Sequence, residues 1–155
     1  MPTALPAGLL PRLNRVLRLA RDAHALHTHA VQVAASTDLA WVNLLVEMAQ
    51  ANERVIDRVS RLVIDAGGVP EVHGTLGGRL REYYGALGAL LGDAELQYLG
   101  HCRAAEGRLL DAMDAALHAP ALDTHGRAEL MDLQRDTRQR WNTVKRLLLA
   151  RQDAP

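Results

Sequence analysis

Four long stretches of this 155-residue chain repeat apolar side chains at the three- and four-residue spacing of an amphipathic helix. The breaks in this pattern are few, and they fall at Ser36-Thr37, Gly67-Gly68-Val69-Pro70, Gly92-Asp93 and Ala119-Pro120. We therefore predict helices over about residues 9–34, 38–66, 93–118 and 123–151, each roughly 40 Å long at 1.5 Å per residue. Gly67 is placed to be the left-handed residue that ends the second helix.

The segment between the second and third predicted helices, residues 70–92, is rich in glycine but keeps helical spacing at Leu76, Leu80 and Leu87. We predict a short helix over 76–91, with Thr75 as its N-cap. The first and last linkers are short enough to make two helical hairpins, whereas this linker is long enough to return the third helix parallel to the second. The predicted fold class is all-α: a single domain over 1–155, forming a ferritin-like up-down four-helix bundle with a long crossover.

The composition agrees with a helical bundle and excludes several functions. Aromatic residues make up 3% of the chain, so Leu, Ala and Val must build the core, which favours helices over a β-sandwich. The formal net charge is zero, which gives no electrostatic case for binding nucleic acid or an anionic membrane. A single cysteine excludes an internal disulfide, and no signal peptide or membrane-spanning run is visible, so we expect a cytoplasmic protein.

A two-metal centre in a ferritin-like bundle needs a Glu from each of two helices and a Glu-x-x-His pair from each of the other two. The chain contains no Glu-x-x-His. The residues that could still bind a metal are Glu106, His24, His27 and Glu53. Because Glu is rarely buried without a partner, we expect Glu106 to point inward and to make an internal hydrogen bond or ion pair, to an Arg or to Thr137, or to bind a metal.

The other polar residues on the predicted seams have simpler interpretations. His24 and His27 are expected to bond neighbouring carboxylates or backbone at the flank of the core. Cys102 lies between Leu99 and Glu106 and is expected to behave as a small buried hydrophobe. No spacing typical of a catalytic triad or a phosphate-binding loop is present, so catalysis is not indicated.

An ordered set of short features carries a family resemblance over about residues 10–150. These features are Arg21-Asp22, Ala66-Gly67-Gly68-Val69-Pro70, Gly74-Thr75 with Gly78 and Leu80, and Cys102 with Glu106. In their order and spacing the chain resembles the bacterial ferritin-like bundle family catalogued as domain of unknown function 2383. The resemblance implies the fold already predicted, and it implies no reaction.

Two positions depart from what that resemblance implies, and both remove a metal ligand. Trp141 stands where a His of the fourth helix is implied, and Gln32 stands where a Glu of the first helix is implied. Because Trp141 lies on the predicted seam, we expect its indole to be mostly buried and to fill the space of a metal centre. Metal chemistry is therefore less expected in this chain than in the family.

The predicted function is that of a non-catalytic bundle, without a cofactor, that acts by protein–protein or self-association. The apolar face of the connector, with Tyr83 or Tyr84, would supply the contact surface. The alternative is a metal-binding protein of the di-iron type, or an oxidative-stress ferritin-like protein, in which a degenerate site retains iron or zinc.

Overall fold

Four long α-helices account for most of the residues in the computed structural model, which describes residues 8–34, 39–75 and 94–153. They are α1 (Leu9–Ala34), α2 (Leu39–Asp65), α3 (Ala94–Leu117) and α4 (Thr124–Gln152). Each bound lies within one residue of the predicted one. The short helix predicted over 76–91 lies outside the described residues, as do Tyr83 and Tyr84.

The direction of each helix follows from contacts near its two ends. Arg12, near the start of α1, donates from Nη1 to the carbonyl of Ala115 near the end of α3 (2.8 Å), whereas His27, late in α1, meets Tyr98 and Glu106 in the first half of α3. Helices α1 and α3 are therefore antiparallel. Since α1 and α2 form an antiparallel hairpin, α2 and α3 run parallel, which confirms the predicted crossover topology of the four-helix bundle.

The bundle interior is built from aliphatic side chains in two clusters. The cluster at the beginning of α1 is centred on Leu13, Leu17, Val59, Leu109 and Leu130. The cluster toward the other end contains Leu26, Leu45, Met48, Leu99, Val144 and Leu148, together with Tyr98 and Cys102. A Leu- and Ala-based core agrees with the near absence of aromatic residues, and burying one such side chain contributes about 1.5–3 kcal/mol.

Local sequence sets the ends of α2 and α4. Gly67 has φ +83°, its N–H donates to the carbonyl of Ile64 (2.9 Å), and the N–H of Gly68 donates to the carbonyl of Val63 (2.9 Å). These paired bonds are those of a Schellman motif, so the predicted left-handed glycine is confirmed. At α4, Asp123 is the N-cap and accepts from the N–H of Gly126 at 2.7 Å.

Residues 67–75, here called the strap, leave the end of α2 and lie along α1. Gly68 fits so closely that a Cβ there would come within 2.5 Å of a Leu10 methyl carbon. Four hydrogen bonds join the strap to α1: Asn14 Nδ2 to Val69 O (3.3 Å), Glu71 N to Asn14 Oδ1 (2.9 Å), Arg21 Nε to Glu71 O (2.9 Å), and Thr75 Oγ1 to Asp22 Oδ2. The short features around Arg21-Asp22 and Gly74-Thr75 are thus the two sides of one attachment.

Helices α2 and α4 are joined near the end of α2 by one arginine. Arg58 donates from Nε to Glu129 (2.6 Å) and from Nη1 to Asp132 (3.0 Å). The hydrogen bond to Glu129 raises the pKa of Arg58, and the same bond lowers the pKa of Glu129. Across the described ranges, none of the helices has the length and apolarity needed to cross a membrane.

The expected burial of Trp141 agrees with its intermediate exposure, but the indole lies at the contact of α3 and α4 and not among the fully buried core residues. Its side chain is half-buried, and it lies on α3 where Gly107 has no side chain: a Cβ there would be 3.4 Å from the indole Nε1. The side chains of Arg103 and Lys145 lie over the ring, 5.8 and 5.2 Å from its centroid. The absence of a side chain at Gly107 lets the indole approach the backbone of α3 with its Nε1 edge.

Candidate functional site

Each of the four helices contributes one fully buried polar side chain to the interior. They are His27 from α1, Asn52 from α2, Glu106 from α3 and Thr137 from α4, each with no exposed surface. The Thr137 hydroxyl has a hydrogen-bond partner outside this group, because it accepts from Arg140 Nη2 at 3.0 Å. The other three meet each other, and with Tyr98 and Cys102 they form what we call the polar core cluster.

His27 is the centre of this cluster, because both of its ring nitrogens have partners. Nδ1 lies 2.5 Å from the Tyr98 hydroxyl, and Nε2 lies 3.3 Å from Glu106 Oε1. An ionised carboxylate only accepts hydrogen bonds, so Nε2 then carries the proton and Nδ1 of a neutral ring accepts from the Tyr98 O–H. The rings of His27 and Tyr98 also meet edge to face, with centroids 6.2 Å apart. The result is a buried hydrogen-bonded chain from Tyr98 through His27 to Glu106.

Glu106 is the inward-pointing residue that the helix spacing predicted, and its partners are protein groups. Besides His27, Asn52 donates from Nδ2 to Glu106 Oε1 at 3.4 Å, across the bundle from α2. The predicted internal hydrogen bond is present, but within the described residues it is made to His27 and Asn52 and not to an Arg or to Thr137. Two acceptors of this pair, Glu106 Oε2 and Asn52 Oδ1, are buried and have no hydrogen-bond partner among the described residues. Unmet buried acceptors of this kind are uncommon in folded proteins.

Cys102 lies on the opposite side of the His27 ring from Glu106. Its Sγ is 3.7 Å from Nδ1, and burial raises the pKa of the thiol above its ordinary value. A buried thiol with a raised pKa is a poor nucleophile and a poor metal ligand. Cys102 is buried among aliphatic side chains, as predicted for a small hydrophobe, and its thiol in addition contacts the His27 ring. Because Glu106 and Cys102 approach different ring nitrogens, they cannot bind one metal ion together with His27.

The four residues predicted as metal-ligand candidates fall into two separate pairs. His27 and Glu106 belong to the buried cluster, whereas His24 Nε2 lies 3.0 Å from Glu53 Oε1 at the surface between α1 and α2. His24 and His27 therefore do not face one site, although they are three positions apart on the same helix. Among the residues the structure describes, no group of three or more His, Cys, Asp or Glu side chains is arranged to hold a metal ion.

The sequence analysis did not identify Tyr98 as part of the site. The signal was present, because Tyr98, Cys102 and Glu106 are spaced four residues apart and so share one stripe of α3. The helix seam was drawn instead through Leu99, one residue later. Asn14, which fastens the strap, was also missed, because an isolated Asn within a helical pattern gives no indication of a partner more than fifty residues away.

The geometry of the polar core cluster suits the fixing of helices to one another. Its members are almost fully buried, so a dissolved substrate could reach His27 or Glu106 only after the bundle opened. Hydrogen bonds between buried groups of different helices favour one relative arrangement, because a shift would leave the donors of His27 and Asn52 without their acceptor. The cluster links α1, α2 and α3 in this way.

Fold and site together define the class: a four-helix bundle with one long crossover and a closed polar cluster at its centre. Residues 9–119 match the family described as domain of unknown function DUF2383. The match covers more than half of the chain, so the protein belongs to that family. No curated protein and no solved structure matches it significantly.

Proposed function

We propose that this protein is a non-catalytic helical bundle that acts by binding protein, either a second copy of itself or a partner chain. The observation that carries the proposal is the surface at the end of α2 and along the strap. Ile64, Val69 and Val72 are 58%, 84% and 65% exposed there. A contiguous exposed aliphatic patch is typical of an interaction site, and we infer that these three side chains, which lie on the end of α2 and on the strap, form one.

The strap presents these side chains on an ordered backbone. Asn14 and Arg21 hold the carbonyls on either side of Pro70, and Thr75 is bonded to Asp22. A surface that is ordered before binding loses less conformational entropy when a partner covers it. The polar core cluster also supports a non-catalytic function, because its residues are buried and make their contacts within the bundle.

The test is the mass of the full chain in solution, measured by light scattering over a range of concentrations. We expect the wild type to associate, and the double variant Val69→Ser/Val72→Ser to shift toward the monomer with its helicity unchanged. Leu149→Ser is the matched control, since Leu149 is an exposed aliphatic residue far from the strap, on α4. A wild type that is monomeric throughout, and that binds no protein ligand, would refute the proposal.

A second candidate is metal binding, and one observation favours it. Glu106 Oε2 and Asn52 Oδ1 are two buried oxygens without donors, and a hard cation is bound by carboxylate and amide oxygens. The residues do not fit a two-metal centre, which needs bridging carboxylates, since Glu106 is the one carboxylate in the cluster. The candidate is therefore a single retained cation.

A melting experiment separates the two candidates. If a cation is bound, chelator lowers the melting temperature of the wild type and leaves that of Glu106→Gln unchanged, because a ligand that binds only the folded state stabilises it. If the cluster is purely structural, chelator changes neither. Metal analysis of the purified protein gives the same answer independently.

A further inference from the structure

The surface around Trp141 has an unusual charge pattern for a protein whose net charge is zero. Between Thr137 and Gln152, α4 carries five cationic residues and no carboxylate. Arg138, Trp141 and Lys145 are three and four residues apart and so lie on one stripe of α4. Arg103 reaches the same ring from α3. The two helices together form a basic face with an indole at its centre, here called the basic face.

The cations of this face are not neutralised within the described part of the chain. Arg103, Arg138 and Lys145 make no ion pair there, whereas most of the arginines at the opposite end of α4 and α2 do, as Arg58, Arg61 and Arg135 illustrate. Arg103 and Lys145 lie 5.8 and 5.2 Å from the centroid of one ring, so both charges meet at the same indole. A cation–π contact contributes about 0.5–1 kcal/mol at an exposed site, and it leaves the cation free to pair with an anion on its other side.

We infer that the basic face binds an acidic segment of a partner protein, through Arg103, Lys145 and Arg138 around Trp141. The inference rests on the proposed function in one respect, that the protein acts by binding protein. The surface differs from the strap in position and in chemistry. Carboxylates of the partner would pair with the cations, and the indole would pack against the carbon atoms between them. This arrangement supplies counter-charges that the described residues do not provide, and it covers a partly exposed aromatic ring.

The size of the face favours an acidic peptide over nucleic acid. A protein that grips duplex DNA through about six to ten phosphates needs a similar number of cations, whereas three, Arg103, Arg138 and Lys145, are grouped around Trp141. The zero net charge of the chain supplies no long-range attraction for a polyanion. A short run of Asp or Glu matches the three cations, Arg103, Arg138 and Lys145, that make no ion pair among the described residues.

The test uses the full chain and a fluorescent decaglutamate peptide, with binding followed by anisotropy at low salt. We expect saturable binding that weakens as salt is added, because the contacts are between exposed charges. Lys145→Gln and Arg103→Gln should each weaken binding up to about fivefold, the change that the loss of one exposed charge pair produces. Lys145→Glu should weaken it further. Arg15→Gln is the matched control, an exposed arginine on α1, and should bind as the wild type does.

The peptide-binding results test the acidic-peptide inference independently of the proposed self-association. Absence of peptide binding, or binding that Lys145→Glu leaves unchanged, overturns the inference, while the strap variants test self-association independently. Tighter binding of a thymidine oligonucleotide than of decaglutamate would overturn it in favour of a nucleic-acid site. Circular dichroism of each variant shows whether its helical fold is retained. Decalysine, a peptide of opposite charge, should not bind the wild type.

Discussion

Replacing Glu106 with Gln should change the stability of this protein very little, although Glu106 is fully buried. The reason is that Asn52, which contacts Glu106, has a buried side-chain oxygen without a hydrogen-bond donor among the described residues. Asn52 already donates to Glu106 Oε1, and Asn52 Oδ1 has no donor. A Gln amide keeps the oxygen and places an N–H₂ group where Oε2 stands, so it can form the paired amide–amide contact with Asn52. The substitution supplies the donor that the cluster lacks.

The expected magnitude follows from the bonds lost and gained. His27 Nε2 would donate to a neutral oxygen, and a hydrogen bond to a charged group contributes roughly 1 kcal/mol more than a neutral one. The new bond to Asn52 Oδ1 contributes about 1 kcal/mol in the other direction. The two changes offset each other, and the free energy of unfolding should stay within about 1 kcal/mol of the wild type.

Glu106→Leu is the informative comparison, because it removes the acceptor and keeps the volume. The donors on His27 and Asn52 would then be buried without partners, at about 1–3 kcal/mol each. We expect a loss of about 3 kcal/mol. Urea unfolding followed by circular dichroism measures both variants, with an unchanged dependence on denaturant as the check that the unfolded state is the same.

The result that would refute this reasoning is a large loss in the Gln variant. If Glu106→Gln cost as much as Glu106→Leu, the negative charge itself would be needed, because shape and hydrogen bonding survive in Gln. A charge requirement means a cationic partner, either a protonated His27 or a bound cation. His27→Gln and the chelator experiment would then distinguish these two partners.

Three further predictions concern the strap and the helix ends. Asn14→Ala removes both bonds to Val69 and Glu71, so it should cost roughly 1–2 kcal/mol and speed hydrogen exchange at the strap amides. Gly67→Ala should cost about 1–2 kcal/mol because of its positive φ, whereas Gly100→Ala, mid-helix with open space around it, should gain roughly 0.5–1 kcal/mol in thermal or urea unfolding. Arg58 lowers the pKa of Glu129 in the folded state, so the stabilisation by this ion pair should be present above the ordinary Glu pKa of about 4.3 and lost as the pH falls through the lower folded value. In urea unfolding, Arg58→Ala should therefore be as stable as the wild type at acid pH and less stable, by up to about 1 kcal/mol, at neutral pH.

Much of the fold was predictable because local signals set it. Helical periodicity located α1 to α4, and the Gly67-Gly68 pair marked the end of α2 through the one backbone conformation that glycine adopts freely. Linker lengths then fixed the crossover. The inward direction of Glu106 followed from its place on an apolar stripe, since a helix presents one face to the core.

The partners of those residues were not predictable, because they depend on contacts between distant segments. Periodicity placed Trp141 on a seam, but whether a seam residue lies at the centre or at the edge depends on the residue opposite, here Gly107. The same limit applies to Glu106. Its position on an apolar stripe predicts that it is buried and needs a hydrogen-bond partner, but not that His27 and Asn52 are the partners. The contact of Asn14 with the strap shows this limit most clearly, since no local sequence pattern indicates that these two segments meet.

The polar core cluster and the basic face have complementary consequences for how this bundle works. A core of Leu, Ala and Val tolerates small shifts between helices, because many packings of such residues differ little in energy. Contacts from Glu106 to α1 and α2 oppose these shifts, since a slip of one turn would separate Glu106 from both His27 and Asn52. Trp141 rests on α3, and its place above Gly107 depends on the register of α3 against α4. A bundle whose interior fixes helix register therefore also fixes the spacing of charges on its surface, which is what recognition of a charged partner requires.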